Sequence, residues 1–134
     1  MHLTKSNNKP KVLIAEDEVL ITSFYKQIIN MHFNCIVHVV HDPESAVEKA
    51  KQVFPDVFIM DLTFDRKLDG LDAVINIREF SGAPVIYVTG HLEEQTRAKA
   101  MKYQPCTYLT KPIHVPQLLD EMNKHIDFAN TSRL

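Results

Sequence analysis

Four places along the chain carry polar residues directly after apolar runs. Glu16-Asp17-Glu18 follow Val12-Leu13-Ile14-Ala15, and Asp61 follows Val57-Phe58-Ile59-Met60; Thr89 follows Val85-Ile86-Tyr87-Val88, and Lys111-Pro112 come soon after Tyr108-Leu109. Taken singly, most have an ordinary explanation. Acids at 16 to 18 suit the first turn of a helix, where the dipole favours negative charge, and Thr89 suits a strand entering a turn. Asp61 resists that reading, because a carboxylate buried without a partner costs free energy. If the runs are neighbouring strands, Glu16, Asp17 and Asp61 converge and repel one another. A divalent cation with oxygen ligands, most economically Mg²⁺, resolves that repulsion. Mg²⁺ beside Lys111 and the Thr89 hydroxyl is the equipment of phosphoryl transfer. Asp61 is then the nucleophile, since carboxylates form acyl phosphates, whereas a pocket that only bound phosphate would not be lined with acids.

The elements that must position these residues are legible in the hydrophobic pattern. The runs named above, with Ile36-Val37-His38-Val39-Val40, read as five strands buried on both faces. Helical spacing fills the intervals. Val115, Leu118, Leu119, Met122 and Ile126 form one apolar stripe. Asp42-Pro43-Glu44 opens the second helix with an Asp cap, a proline at the first helical position and an acid in the first turn. Asp69-Gly70 opens the third. Five alternations of strand and helix predict a doubly wound α/β fold with a five-stranded parallel sheet and five helices. In such a sheet the functional crevice lies beyond the carboxyl ends of the strands, where the polar residues fall.

A chain of 134 residues is the size of one domain. Fifteen Lys and Arg against seventeen Asp and Glu leave no basic stripe, which argues against direct nucleic-acid binding. Three glycines, Gly70, Gly82 and Gly90, are too few and too scattered for a P-loop or a dinucleotide fingerprint. No apolar run approaches the roughly 18 residues of a membrane span. The polar start, Met1 to Lys9, lacks the core of a signal peptide, and a cytoplasmic location is expected. Cys35 and Cys106 read as reduced packing residues.

The motifs VLIAEDE, DVFIMDL, DGLDA, PVIYVTG and YLTKPI, in this order, resemble those of the response regulator receiver domain of two-component systems, the family of the chemotaxis regulator. The resemblance covers about residues 11 to 128, leaving 1–10 and 129–134 as tails. It implies a flavodoxin-like sheet of strand order 2-1-3-4-5. It also implies that Asp61 is the phosphoacceptor for a sensor histidine kinase or phosphotransfer protein. Asp17, Asp61 and the backbone carbonyl of Thr63 would bind Mg²⁺, with Glu16 acting through water. Lys111 would pair with Asp61 and later with a phosphoryl oxygen. Thr89 would bind another oxygen, and Tyr108 would be a rotameric switch. Pro112 is the cis-proline candidate. A downstream protein partner would read the face of the fourth helix, fifth strand and fifth helix, and that face leaves room for a homodimer. With the chain ending soon after the fifth helix, output is expected through a partner.

Two departures stand out. The loop from Asp61 to Asp69-Gly70 is one residue longer than the commonest pattern and lacks its proline, and Gln104-Pro105 replaces Gly-Ala, so the fourth helix must end without a glycine cap. Two other functions compete. A Mg²⁺-dependent phosphohydrolase of the haloacid dehalogenase type wants an acid two residues after its nucleophile, where this chain has Thr63. A non-phosphorylated binding module usually lacks one of the acids or the Lys, and all are present. The seven histidines show no ligand spacing; the resemblance singles out only His91, two residues past Thr89, where receivers tune access of water to the acyl phosphate.

Overall fold

The computed structural model describes residues 9–64, 69–90 and 93–126. The order is β1 (Lys11–Ala15), α1 (Val19–His32), β2 (Ile36–Val40), α2 (Pro43–Val53), β3 (Val57–Met60), α3 (Gly70–Ile77), β4 (Val85–Thr89), α4 (Glu94–Ala100), β5 (Cys106–Thr110) and α5 (Val115–His125). The strands form one parallel sheet in the order β2-β1-β3-β4-β5.

Alternation along the strands divides the core in two. Leu13, Ala15, Phe58, Met60, Val85 and Tyr87 pack against Ala46 and Ala50 of α2, Ala73, Val74 and Ile77 of α3, and Ala100 of α4. The opposite parity, Val12, Ile14, Val57, Ile59, Ile86 and Val88, packs against Tyr25 and Ile29 of α1 and Leu118 and Met122 of α5. Helices thus cover both faces, as parallel strands require. Burial on both faces holds for β3 and β4 throughout and for all of β1 but Lys11. It fails for β2 and β5, of which only Val40 and Leu109 are buried, because these are the sheet edges. The fifth strand is also longer than Tyr108-Leu109, since pairing with β4 recruits Cys106, Thr107 and Thr110 whatever their polarity.

The helix starts follow their local chemistry. Asp42 accepts from Ser45 N at 2.7 Å, with Pro43 opening α2. Asp69 and Asp72 form a reciprocal capping box on α3. α4 ends without glycine: Gln104 Nε2 donates to the Met101 carbonyl at 2.7 Å, and the chain turns through a cis Gln104-Pro105 bond into β5. Arg78, just past α3, donates to the carbonyls of Tyr103, Ser81, Ala83 and Pro105 and fastens two loops at the amino edge of the sheet.

Candidate functional site

Backbone ladders bring the polar residues together before any side chain acts. Ala15 pairs with Met60, so Glu16 and Asp61 leave adjacent strands side by side, and Asp61 N donates to Ala15 O at 3.0 Å. On the other flank Thr89 pairs with Thr110, and Lys111 N donates to Thr89 O at 2.8 Å. α1 begins only at Val19, with no acid in its first turn. Glu16 and Asp17 therefore precede the helix and Glu18 is its N-cap residue without a side-chain cap hydrogen bond, so the first-turn explanation for the three acids falls away. Their carboxylate oxygens lie within 4.8 Å of one another.

Lys111 joins the two buried acids. Its ammonium donates to Glu16 Oε1 at 2.8 Å and to Asp61 Oδ2 at 3.1 Å, and those side chains are 2% and 4% exposed. The other Asp61 oxygen, Oδ1, accepts from Thr63 N at 3.0 Å and Thr63 Oγ1 at 3.1 Å. Thr63 Oγ1 also lies 3.5 Å from the hydroxyl of the fully buried Thr89. Glu16 thus belongs to two groupings: it shares the Lys111 ammonium with Asp61, and it lies with Asp17 and Glu18 in one group of carboxylates. Burial, reinforced by the charge of Asp61, pushes the Glu16 carboxyl up to about 7 against the pull of Lys111. Burial alone would lower the Lys111 ammonium, but its hydrogen bonds to Glu16 and Asp61 outweigh that and raise it. The cation is thus locked on, while burial and the neighbouring charge favour a proton on Glu16.

The donors fit a small hard cation. Asp17 and Glu18 are exposed beside Glu16, and the available ligands are all oxygens, as Mg²⁺ prefers.

Tyr108 stands apart from this cluster. It is half-buried on β5 against the core that includes Tyr87 and Ala100, with the Arg97 guanidinium 4.8 Å from its ring centroid. The Lys111-Pro112 bond is cis, in line with the sequence reading of Pro112. His91 and residues 65–68 of the long loop lie outside the described residues.

Four contributions were not legible beforehand. The Glu16–Lys111 pair and the side chain of Thr63 had no sequence signal beyond proximity to Asp61. Gly70 was read only as part of a helix start, yet a Cβ there would stand 2.9 Å from the Asp61 carbonyl carbon and closer still to its oxygen. The glycine serves close approach, since no glycine described has positive φ. Tyr25, buried on α1, lies within the electrostatic reach of Lys111, Glu16 and Asp61, and burial raises its phenol to about 12.

Residues 12–123 match the model of the response regulator receiver domain. The chain belongs to that family. This receiver domain is 30% identical over 114 residues to the chemotaxis protein CheY of Halobacterium salinarum, covering 84% of the chain and 93% of CheY. It is 33% identical over 109 residues to the transcriptional regulatory protein PdtaR of Mycobacterium tuberculosis, covering 81% of the chain but only 53% of PdtaR. Among solved structures, a CheX-CheY-BeF3-Mg complex from Borrelia burgdorferi matches with TM-score 0.77 and 28% identity, over 91% of the receiver and 92% of that chain. Family membership displaces the dehalogenase-type reading. No helix among the described residues of the receiver is long and apolar enough to cross a membrane.

Proposed function

We propose that the chain is a phosphoacceptor switch in which Asp61 takes a phosphoryl group from the histidine of a sensor kinase or phosphotransfer protein. The observation that carries this is the single Lys111 ammonium held between buried Glu16 and Asp61 at the carboxyl edge of the sheet. An acid pair built for stability would have one cation for each acid; here two buried acids share one ammonium, with Asp17 and Glu18 exposed beside Glu16.

Mg²⁺, held by Asp17, Asp61 and the Thr63 carbonyl with Glu16 behind a water, would supply charge neutralisation on the phosphoryl oxygens. Thr63 N and Oγ1 fix one Asp61 oxygen and aim the carboxylate outward. A carboxylate oxygen attacks phosphorus, the phosphorus–nitrogen bond to the donor histidine breaks, and an acyl phosphate remains. Lys111 then trades its bond to Asp61 for one to a phosphoryl oxygen, and the Thr89 hydroxyl turns from Thr63 to another. Because both sit at the ends of β4 and β5, their movement is communicated to α4, β5 and α5, and Tyr108 follows. An output partner reads that face, and a second copy of the chain could use it.

The exposed apolar side chains Val19, Leu20 and Phe24 begin directly after Glu18, and Leu20 is 85% exposed. They offer a donor protein an apolar surface beside the acids. A cytoplasmic location agrees with a kinase donor.

The reading is tested by incubating the protein with phosphoramidate in Mg²⁺ and in chelator and weighing it intact. One added phosphoryl group in Mg²⁺ and none in chelator is expected. An unmodified protein in both would leave a binding module that works without phosphorylation.

A further inference from the structure

α4 is the least anchored helix that borders the proposed output face. Of its seven residues only Ala100 is buried. That end is fixed: the Ala100 carbonyl accepts the buried Tyr87 hydroxyl at 3.0 Å and the Cys106 thiol at 3.7 Å. The preceding turns hold no buried residue, and Glu94, Gln95, Arg97 and Ala98 are exposed. What ties the middle of the helix to β5 is Arg97, whose guanidinium covers the ring of Tyr108.

We propose that Arg97 is a positioning residue that holds Tyr108 at the surface beneath its guanidinium, so that the ring must leave the cation before it can turn inward. This rests on the switch reading of Thr89 and Tyr108. A guanidinium stacks on an aromatic face and is attracted by its quadrupole. An inward-turned ring forfeits that contact, whereas the side chains lining the interior are unaffected by which residue stands at position 97. The contact therefore biases one orientation over the other, which is the only way a contact can shift a two-state element. The pair also couples α4 to β5: when Tyr108 leaves, the middle of α4 loses its tie and the helix is held by the Ala100 end alone.

The test follows Tyr108 directly. The protein has four tyrosines, and fluorotyrosine labelling with ¹⁹F NMR reports each, Tyr108→Phe assigning the switch resonance. The buried Tyr25 and Tyr87 report that every variant is folded. The parent treated with phosphoramidate and Mg²⁺ defines the switched position. Without donor, Arg97→Met, which keeps an apolar stem and removes the cation, moves the Tyr108 resonance toward that position. The inward population rises about 2- to 5-fold, equivalent to about 0.5 to 1 kcal/mol. Arg97→Lys retains part of the parent position. If the parent responds to donor but Arg97→Met matches the untreated parent, the cation does not hold the ring and the inference is overturned. If Tyr108 of the parent does not respond to donor at all, the switch reading fails, and Arg97 has nothing to hold.

Discussion

The Lys111 ammonium lies closer to Glu16, at 2.8 Å, than to Asp61, at 3.1 Å. Lys111 is therefore shared between the proposed acceptor and a second acid, so that in the proposed switch it keeps Glu16 as a partner when Asp61 releases it.

Glu16 makes the fold pH-sensitive. Its carboxyl is raised from 4.5 to about 7, so within that window the folded chain keeps a proton that the unfolded chain has released. Stability from this source is complete below the unfolded value and is lost as pH rises through the folded one. In metal-free buffer, Glu16→Gln should remove that decline. Urea unfolding of both proteins at about pH 5 and about pH 8 checks it; parallel losses in the two proteins would assign the decline to other groups.

Metal and cation roles separate by substitution. Asp17→Asn should weaken Mg²⁺ binding by about tenfold or more, because an exposed carboxylate ligand is lost. Lys111→Met removes a competing positive charge and should leave Mg²⁺ affinity unchanged or higher, while impairing phosphorylation or the response to it. Mg²⁺ titrations of the two variants should fall in this order; equal affinities would contradict the assigned roles.

Gly70→Ala should damage the acceptor site from outside it. The added methyl meets the Asp61 backbone at a distance no real side chain tolerates, and the strand end or α3 must move. A loss of about 1 to 3 kcal/mol is expected, together with slower modification by phosphoramidate. Unchanged modification kinetics would show that the α3 start is free to shift without dragging Asp61.

Much of this was readable from residue order. The apolar runs fixed which strands exist, Asp42-Pro43 and Asp69 fixed two helix starts, and convergence at the carboxyl edge put Glu16, Asp61, Thr89 and Lys111 together. What could not be read were partnerships among equals. Nothing in the sequence says that Lys111 divides itself between two acids, or that the Thr63 side chain bonds Asp61, because spacing along the chain does not determine side-chain rotamers. The edge strands were misjudged for a related reason: Ile36–Val40 is nearly as apolar as the central strands, Tyr108-Leu109 was read as one more such run, and only the sheet order shows which strands have one neighbour. Arg78 was invisible because a lone arginine after a helix carries no pattern, although its reach to four carbonyls does much to close that end of the fold.

Asp61→Asn separates an acid cluster retained for function from one retained for stability. Removing one of the two buried carboxylates that share a single ammonium should stabilise the metal-free protein by about 0.5 to 2 kcal/mol. Saturating Mg²⁺ should shrink or reverse that gain, since the ion stabilises only a folded chain that can bind it. Denaturation of both proteins in chelator and in excess Mg²⁺ decides; a clear loss for Asp61→Asn in chelator would make the Lys111–Asp61 pair structural.

The central claim, that Asp61 is the acceptor, is tested most directly by trapping. After reaction with phosphoramidate and Mg²⁺, borohydride reduces an aspartyl phosphate to homoserine, and peptide mass spectrometry locates the residue changed. Conversion at position 61, absent from Asp61→Asn, is the expected result. Conversion at Asp17 or another acid, or undiminished labelling of Asp61→Asn, would contradict the account.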